Sequence, residues 1–231
     1  MPNVSALVEK FAAGAQPQAA EARQALRELV WHAGSSGAAR LGVAQALADE
    51  LAKPHPPAVQ GTLCELLSLV AGAAEVEAIE VLLSDDATRE MARWALDRIA
   101  VPGAAATLVS AAATPAASFR AGLANSLGRK GANSTAALAK LAQDDDGEVR
   151  LAAAEALARI PASEHDAIIL AAGGNHARGK KRAAIARVRL AENLARSGQT
   201  VAAKTVYQAI AAGDADAPQK KAAQIGLKQL G

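Results

Sequence analysis

Apolar residues recur every three to four positions along most of the chain. Val149, Ala152, Ala153, Ala156, Leu157 and Ile160 fall on one stripe of a helix. The same phase returns at a fixed interval. Residues 89–99 (REMARWALDRI), 120–130 (RAGLANSLGRK) and 150–160 (RLAAAEALARI) each open with arginine and carry leucine at plus seven. Arg89, Arg120 and Arg150 are 31 and 30 residues apart, and Leu96, Leu127 and Leu157 keep that spacing. A shorter apolar segment precedes each of them, at 76–85, 105–114 and 135–144. The turns between carry Asp85-Asp86, Thr114-Pro115 and Asp144-Asp145-Asp146-Gly147. A periodicity near 30 residues with two helical segments per period predicts stacked helical hairpins.

The register extends outward, with Gln60 and Leu67 one unit earlier and Lys220 and Leu227 at the end. It predicts first helices near 4–13, 36–53, 74–84, 104–113, 133–143, 164–172 and 199–212. The second helices follow near 18–32, 57–71, 86–100, 116–130, 147–160, 176–197 and 215–230. Pro17, Pro56-Pro57, Pro102-Gly103, Gly131, Pro161 and Gly173-Gly174 mark the boundaries. Asp145 with Glu148 has capping-box spacing, and Asp86 is placed to cap its own helix. Composition agrees. The chain of 231 residues holds 63 alanines and is 2% aromatic, which favours helices and disfavours sheet. One hairpin cannot bury its apolar face alone, so neighbours must stack, and small alanine side chains let them approach closely. The expected fold is all-α: a right-handed solenoid of about seven hairpins forming one continuous domain over residues 1–231, with a concave and a convex face. The alanine-rich, proline-interrupted stretch 104–130 is expected to be less protected than 147–160.

The run Asp145-Asp146-Gly147-Glu148-Val149-Arg150-Leu151-Ala152-Ala153-Ala154-Glu155-Ala156-Leu157 resembles the HEAT-like repeat of bacterial HEAT proteins and of phycobilin-lyase-type repeats. The resemblance implies a ladder in which the Asp of each turn and the Arg opening each second helix stack between neighbouring repeats. Here the ladder is Asp86 with Arg89, Asp146 with Arg150, and Arg120 in the repeat where Pro115 replaces the aspartate. Residues 76–231 also resemble HEAT segments of planctomycete-type multidomain proteins, which are often exported. The spacing Gly198…Ala203…Tyr207 resembles a tetratricopeptide hairpin, so the last pairs, 176–231, are read as mixing the two styles.

Charge adds a direction. The formal net charge is only +2, yet residues 61–115 hold 8 acidic and 3 basic side chains, and residues 171–231 hold 3 acidic and 11 basic ones. Within 176–197, Arg178, Arg182, Arg189 and Arg196 fall within about 40° of one another on a helical wheel, flanked by Lys181. Ala184, Val188, Ala191 and Leu194 lie opposite, and Arg187 falls among them and is expected either to pair with an acid or to reach past the edge. Only Glu192 is near enough in sequence to offset this ridge.

Other candidate chemistry reads as structural. His32, His55, His165 and His176 show no i, i+3 or i+4 spacing that would pair two ligands on one helix turn. Asp144-Asp145-Asp146-Gly147-Glu148 lacks the alternating ligands of a calcium loop and reads as a helix start. Cys64, the only cysteine, sits on an apolar helix face with no base in sight. Trp94-Ala95-Leu96-Asp97 loosely resembles the tryptophan and aspartate of HEAT-like alkylpurine DNA glycosylases, but the chain has only five aromatics to hold an unstacked base. The N-terminus does not read as a signal peptide, which predicts a cytoplasmic protein if the chain is complete and an exported one if it is part of a planctomycete-type protein. No cofactor and no metal is expected.

The functional expectation is therefore a non-catalytic scaffold. It would offer the concave face of the solenoid to another protein or to a neighbouring domain. Arg178, Lys181, Arg182, Arg189 and Arg196 would form a basic ridge for an anionic partner. Head-to-tail association of copies would be a further use of the charge asymmetry. The alternative expectation is a nucleic-acid-binding HEAT protein of the glycosylase type, and a third is a chromophore lyase.

Overall fold

A computed structural model describes residues 3–14, 16–34, 37–114 and 116–231. Among them are fourteen α-helices, two short 3-10 segments and no strand. Every predicted helix is present. The chain divides into two compact units, Met1–Leu108 and Val109–Gly231.

The first unit contains α1 (Val4–Ala12), α2 (Gln18–Ala33), α3 (Gly37–Leu51), α4 (Pro57–Val70), α5 (Val76–Glu80), α6 (Arg89–Arg98) and most of α7 (Pro102–Ala111). Helix α1 packs on α2 and α3, α3 on α4, and α4 on α6. Leu26, Leu47, Leu63, Leu67, Ile79 and Leu96 are fully buried and form its core. The predicted helix 74–84 is shorter than expected: α5 tightens into a 3-10 turn at Val81–Ser84.

The second unit holds α8 (Ala117–Lys130), α9 (Thr135–Leu141), α10 (Gly147–Leu157), α11 (His165–Ala172), α12 (Ala177–Arg196), α13 (Thr200–Ala212) and α14 (Ala217–Gln229). Helix α10 is its hub, packing on α8, α9, α11 and α12. The predicted stripe of α10 is buried as expected, but so are Leu151, Ala154 and Ala158, because neighbours cover it on several sides. Helices α8 and α10 approach so closely that a Cβ on Gly128 would lie 2.7 Å from the Ala156 Cβ. The stretch 104–130 is therefore not uniformly weak, since α8 buries Phe119, Leu123, Ala124 and Leu127 whereas α7 buries only Ala104, Thr107 and Leu108.

Two capping expectations are corrected. Asp146, not Asp145, caps α10: its Oδ1 accepts from the N–H groups of Glu148 and Val149 at 2.9 and 3.1 Å. Asp86 does not cap α6. Asp85 accepts the Ala87 N–H at 2.8 Å, and Asp86 pairs instead with the Arg89 guanidinium. Of the two aspartate–arginine pairs expected for the ladder, Asp86 with Arg89 is present and Asp146 with Arg150 is not. Arg150 donates to the carbonyls of Asp144 and Asp145 at 2.7 and 2.9 Å rather than to the Asp146 carboxylate. Arg120 makes the link between successive pairs, with a two-pronged bond to Asp144 at 2.7 and 2.8 Å and a third bond to the Thr114 carbonyl. Pro115, the expected departure from the repeat, lies outside the described residues.

Candidate functional site

Helix α12 is the longest helix and carries the densest run of cations, ARGKKRAAIARVRLAENLAR. Alanines and leucines at 183, 184, 190, 191 and 194 are buried and fix its orientation on α10, α11 and α13. The predicted ridge of Arg178, Arg182, Arg189 and Arg196 stands on the opposite side. Its electrostatics differ from the sequence expectation. Glu148 and Glu155, projecting from α10, reach across to it. Arg182 donates to Glu155 at 2.7 Å and to Glu148 at 2.6 Å, and Arg178 lies 3.4 Å from Glu148. These bonds, the one from Glu155 foremost, hold the Arg182 guanidinium pKa above its ordinary value. Glu192 lies 4.0 Å from Arg196, a weak exposed pair. The expectation that Glu192 alone tempers the ridge is thus corrected. Those two carboxylates were out of reach of sequence reasoning because they lie about 30 residues away and become neighbours only through the packing of α10 on α12.

Two cations of the ridge are left over. Lys181 and Arg189 are exposed, and neither has a hydrogen-bond or ion-pair partner among the described residues. Between them, one helical turn from each, stands Ile185 with 42% of its surface exposed. An apolar side chain flanked by two unpartnered cations is the arrangement the wheel did not single out. A charged face with an apolar centre is suited to a partner that brings acid and hydrophobe together.

Roughly 140° round the same helix is a second feature. Arg187, expected either to pair with an acid or to reach past the edge, pairs with Asp166 of α11. Its Nε and Nη2 donate to the two carboxylate oxygens at 2.6 and 2.9 Å. The pair sits beside a groove of about 620 Å³ between α11, α12 and α13, walled by Leu170, Ala184 and Ile210 and bordered by Lys180.

The remaining candidates are accounted for by structure. His165 is buried, with Nδ1 donating to the carbonyls of Leu157 and Ile160. His55 lies 3.3 Å from the buried Glu50. Burial pushes the Cys64 thiol up to about 12, far from a reactive thiolate. Trp94 is 41% exposed, and the Arg98 guanidinium stands 5.0 Å from its ring centroid, covering one face of the indole. Among the described residues, no helix is long and apolar enough to cross a membrane, and no group of three or more His, Cys, Asp or Glu side chains is placed to share a metal ion.

No protein-family model and no curated protein matches the chain. Solved structures do. The complex of CpcE and CpcF of phycocyanin lyase from Nostoc sp. PCC7120 matches with a TM-score of 0.50 at 15% identity, over 99% of this chain and 88% of that one. Human deoxyhypusine hydroxylase matches with a TM-score of 0.35 at 13% identity, over 98% and 95% of the two chains. An engineered protein matches with a TM-score of 0.35 at 22% identity, over 100% and 97%. The expectation that the chain is not an enzyme is corrected by the first of these: the fold it shares belongs to a lyase complex, and the solenoid architecture is no ground for a non-catalytic protein. What the likeness shows is the fold, an all-α framework of HEAT-like helical repeats.

Proposed function

We propose that the chain is a protein-binding helical-repeat module and that the exposed face of α12 docks an acidic protein segment. The observation that carries this reading is the Lys181–Ile185–Arg189 stripe, left unpartnered while Glu148 and Glu155 take up the neighbouring arginines. Within the ridge Arg182 is held by Glu148 and Glu155, Arg178 lies beside Glu148 and Arg196 makes a weak exposed pair with Glu192, so the docking role falls chiefly on the unpartnered Lys181 and Arg189. The partner is another protein or a neighbouring domain of a longer chain. Nucleic acid is a poorer fit, because phosphate affinity grows with the number of available cations, most of the ridge arginines lie beside carboxylates, and α12 carries no aromatic side chain for bases to stack on.

The test is equilibrium binding of a labelled helical peptide carrying one leucine flanked by glutamates at four-residue spacing, beside a duplex DNA of equal charge. The peptide binds in a salt-dependent manner, and Lys181→Glu with Arg189→Glu removes the binding without changing the helical circular dichroism. Preference for the duplex would replace this reading with the nucleic-acid one.

A second reading, a component of a phycocyanin-lyase-type enzyme, draws on the likeness to the CpcE–CpcF complex over 99% of the chain. A lyase assay with phycocyanin as acceptor decides it.

A further inference from the structure

Arg187 is a buried guanidinium that spends only part of its donor capacity. It is 7% exposed and lines the groove between α11, α12 and α13. Asp166 engages Nε and Nη2, and Nη1 makes no hydrogen bond among the described residues. The two-pronged clamp fixes the plane of the guanidinium of this groove-lining residue, so its spare Nη1 can be engaged without freezing a flexible side chain on binding. Lys180 borders the same groove and has no partner among the described residues. Because Asp166 already balances Arg187, the charge left to a ligand is that of Lys180, and the exposed carboxylate of Asp214 at the border opposes a second negative charge. Facing these polar groups is an apolar wall of Leu170, Ala184 and Ile210, with Leu170 57% exposed. A volume of about 620 Å³ lies within the range of small-molecule sites.

We propose that this groove binds a small organic monocarboxylate with an apolar body, the carboxylate on Arg187 Nη1 and Lys180 and the body against Leu170 and Ile210. This site is separate from the docking face of α12 and stands independently of that reading. Phosphate and other dianions are disfavoured by Asp214, and an amine finds no acceptor in Arg187 Nη1 or Lys180, which are donors only.

The test is isothermal titration calorimetry of the whole chain with sodium octanoate below its micellar concentration, against octanol, octylamine and inorganic phosphate. Replacing Arg187 would strand Asp166, so the variants are Lys180→Glu and Leu170→Glu, both at exposed positions, with Lys228→Glu on α14 as control. Octanoate is expected to bind with a dissociation constant of about 1 mM. Each groove variant should weaken it by about tenfold or more, and the control should leave it unchanged. Octanol, octylamine and phosphate should bind more weakly than octanoate. The proposal is overturned if octanoate gives no saturable heat, if octylamine or phosphate binds as well, or if both groove variants bind octanoate like the parent.

Discussion

Gly179, in the first turn of α12, stands where a methyl group has no room. A Cβ there would meet the Gly173 carbonyl oxygen at 2.2 Å, and that oxygen is backbone and cannot swing away. Gly179→Ala should therefore cost about 1–3 kcal/mol by overpacking, read by thermal denaturation. Gly61 in α4 is the contrast: its Cβ would meet the Met91 sulfur at 2.6 Å, the far end of a flexible side chain. Gly61→Ala should be near neutral, because the better helix propensity of alanine offsets the displacement. A fully stable Gly179→Ala protein would contradict the close approach of α11 and α12. The Arg120–Asp144 link gives a pH signature. The two-pronged bond from Arg120 holds the Asp144 carboxyl pKa below the ordinary carboxylate range. An acid whose folded value is depressed contributes its stability above the ordinary range and loses it as pH falls through the folded value. Between about pH 4 and 2 the melting temperature of the parent should thus fall more steeply than that of Asp144→Asn. Parallel curves would remove the link from the account.

At the scale of the element, α12 shows what the sequence made legible and what it did not. Its length, its buried alanine and leucine face and its basic ridge follow from the spacing of residues within one segment. That Arg187 must either meet an acid or reach past the edge of the buried face is equally legible, since an unpaired buried cation is costly. Which acid it is, Asp166, depends on how α11 packs, and so does the neutralisation of Arg182 by Glu148 and Glu155. The cap of α10 was missed by one residue, because three consecutive aspartates offer the same chemistry and only backbone geometry selects Asp146. The division of labour along the ridge yields a prediction. Arg182→Ala removes two pairs to α10 and should cost about 1 kcal/mol of stability, while leaving the binding of an acidic helical peptide nearly unchanged. Arg189→Ala should do the reverse, weakening the peptide without lowering the melting temperature. Equal loss of binding in both variants, measured by fluorescence anisotropy, would mean that Arg182 releases its glutamates on docking.

At the scale of the whole molecule, the fourteen helices among the described residues, in two compact units, are held by small side chains, and burial is uneven along the chain. Helix α10 buries Val149, Leu151 through Ala154, Ala156 and Leu157, whereas α7 buries three residues. Native-state hydrogen exchange should accordingly find the slowest amides in α10 and in the face of α8 against it, with α7 exchanging much faster. Uniform protection from α7 to α10 would show that these helices open together. That one continuous domain spans residues 1–231 is still a proposal, and the same exchange data bear on it, since two units that open independently would give two separate levels of protection. The docking face proposed on α12 is made by Lys181, Ile185 and Arg189. The most direct measurement is to map the acidic leucine-bearing peptide on the intact chain by backbone amide chemical shifts. Saturable shifts are expected on residues 178–192, led by Lys181, Ile185 and Arg189 and abolished in the Lys181→Glu, Arg189→Glu variant. Shifts centred anywhere else, or persisting in that variant, would contradict the proposed docking face.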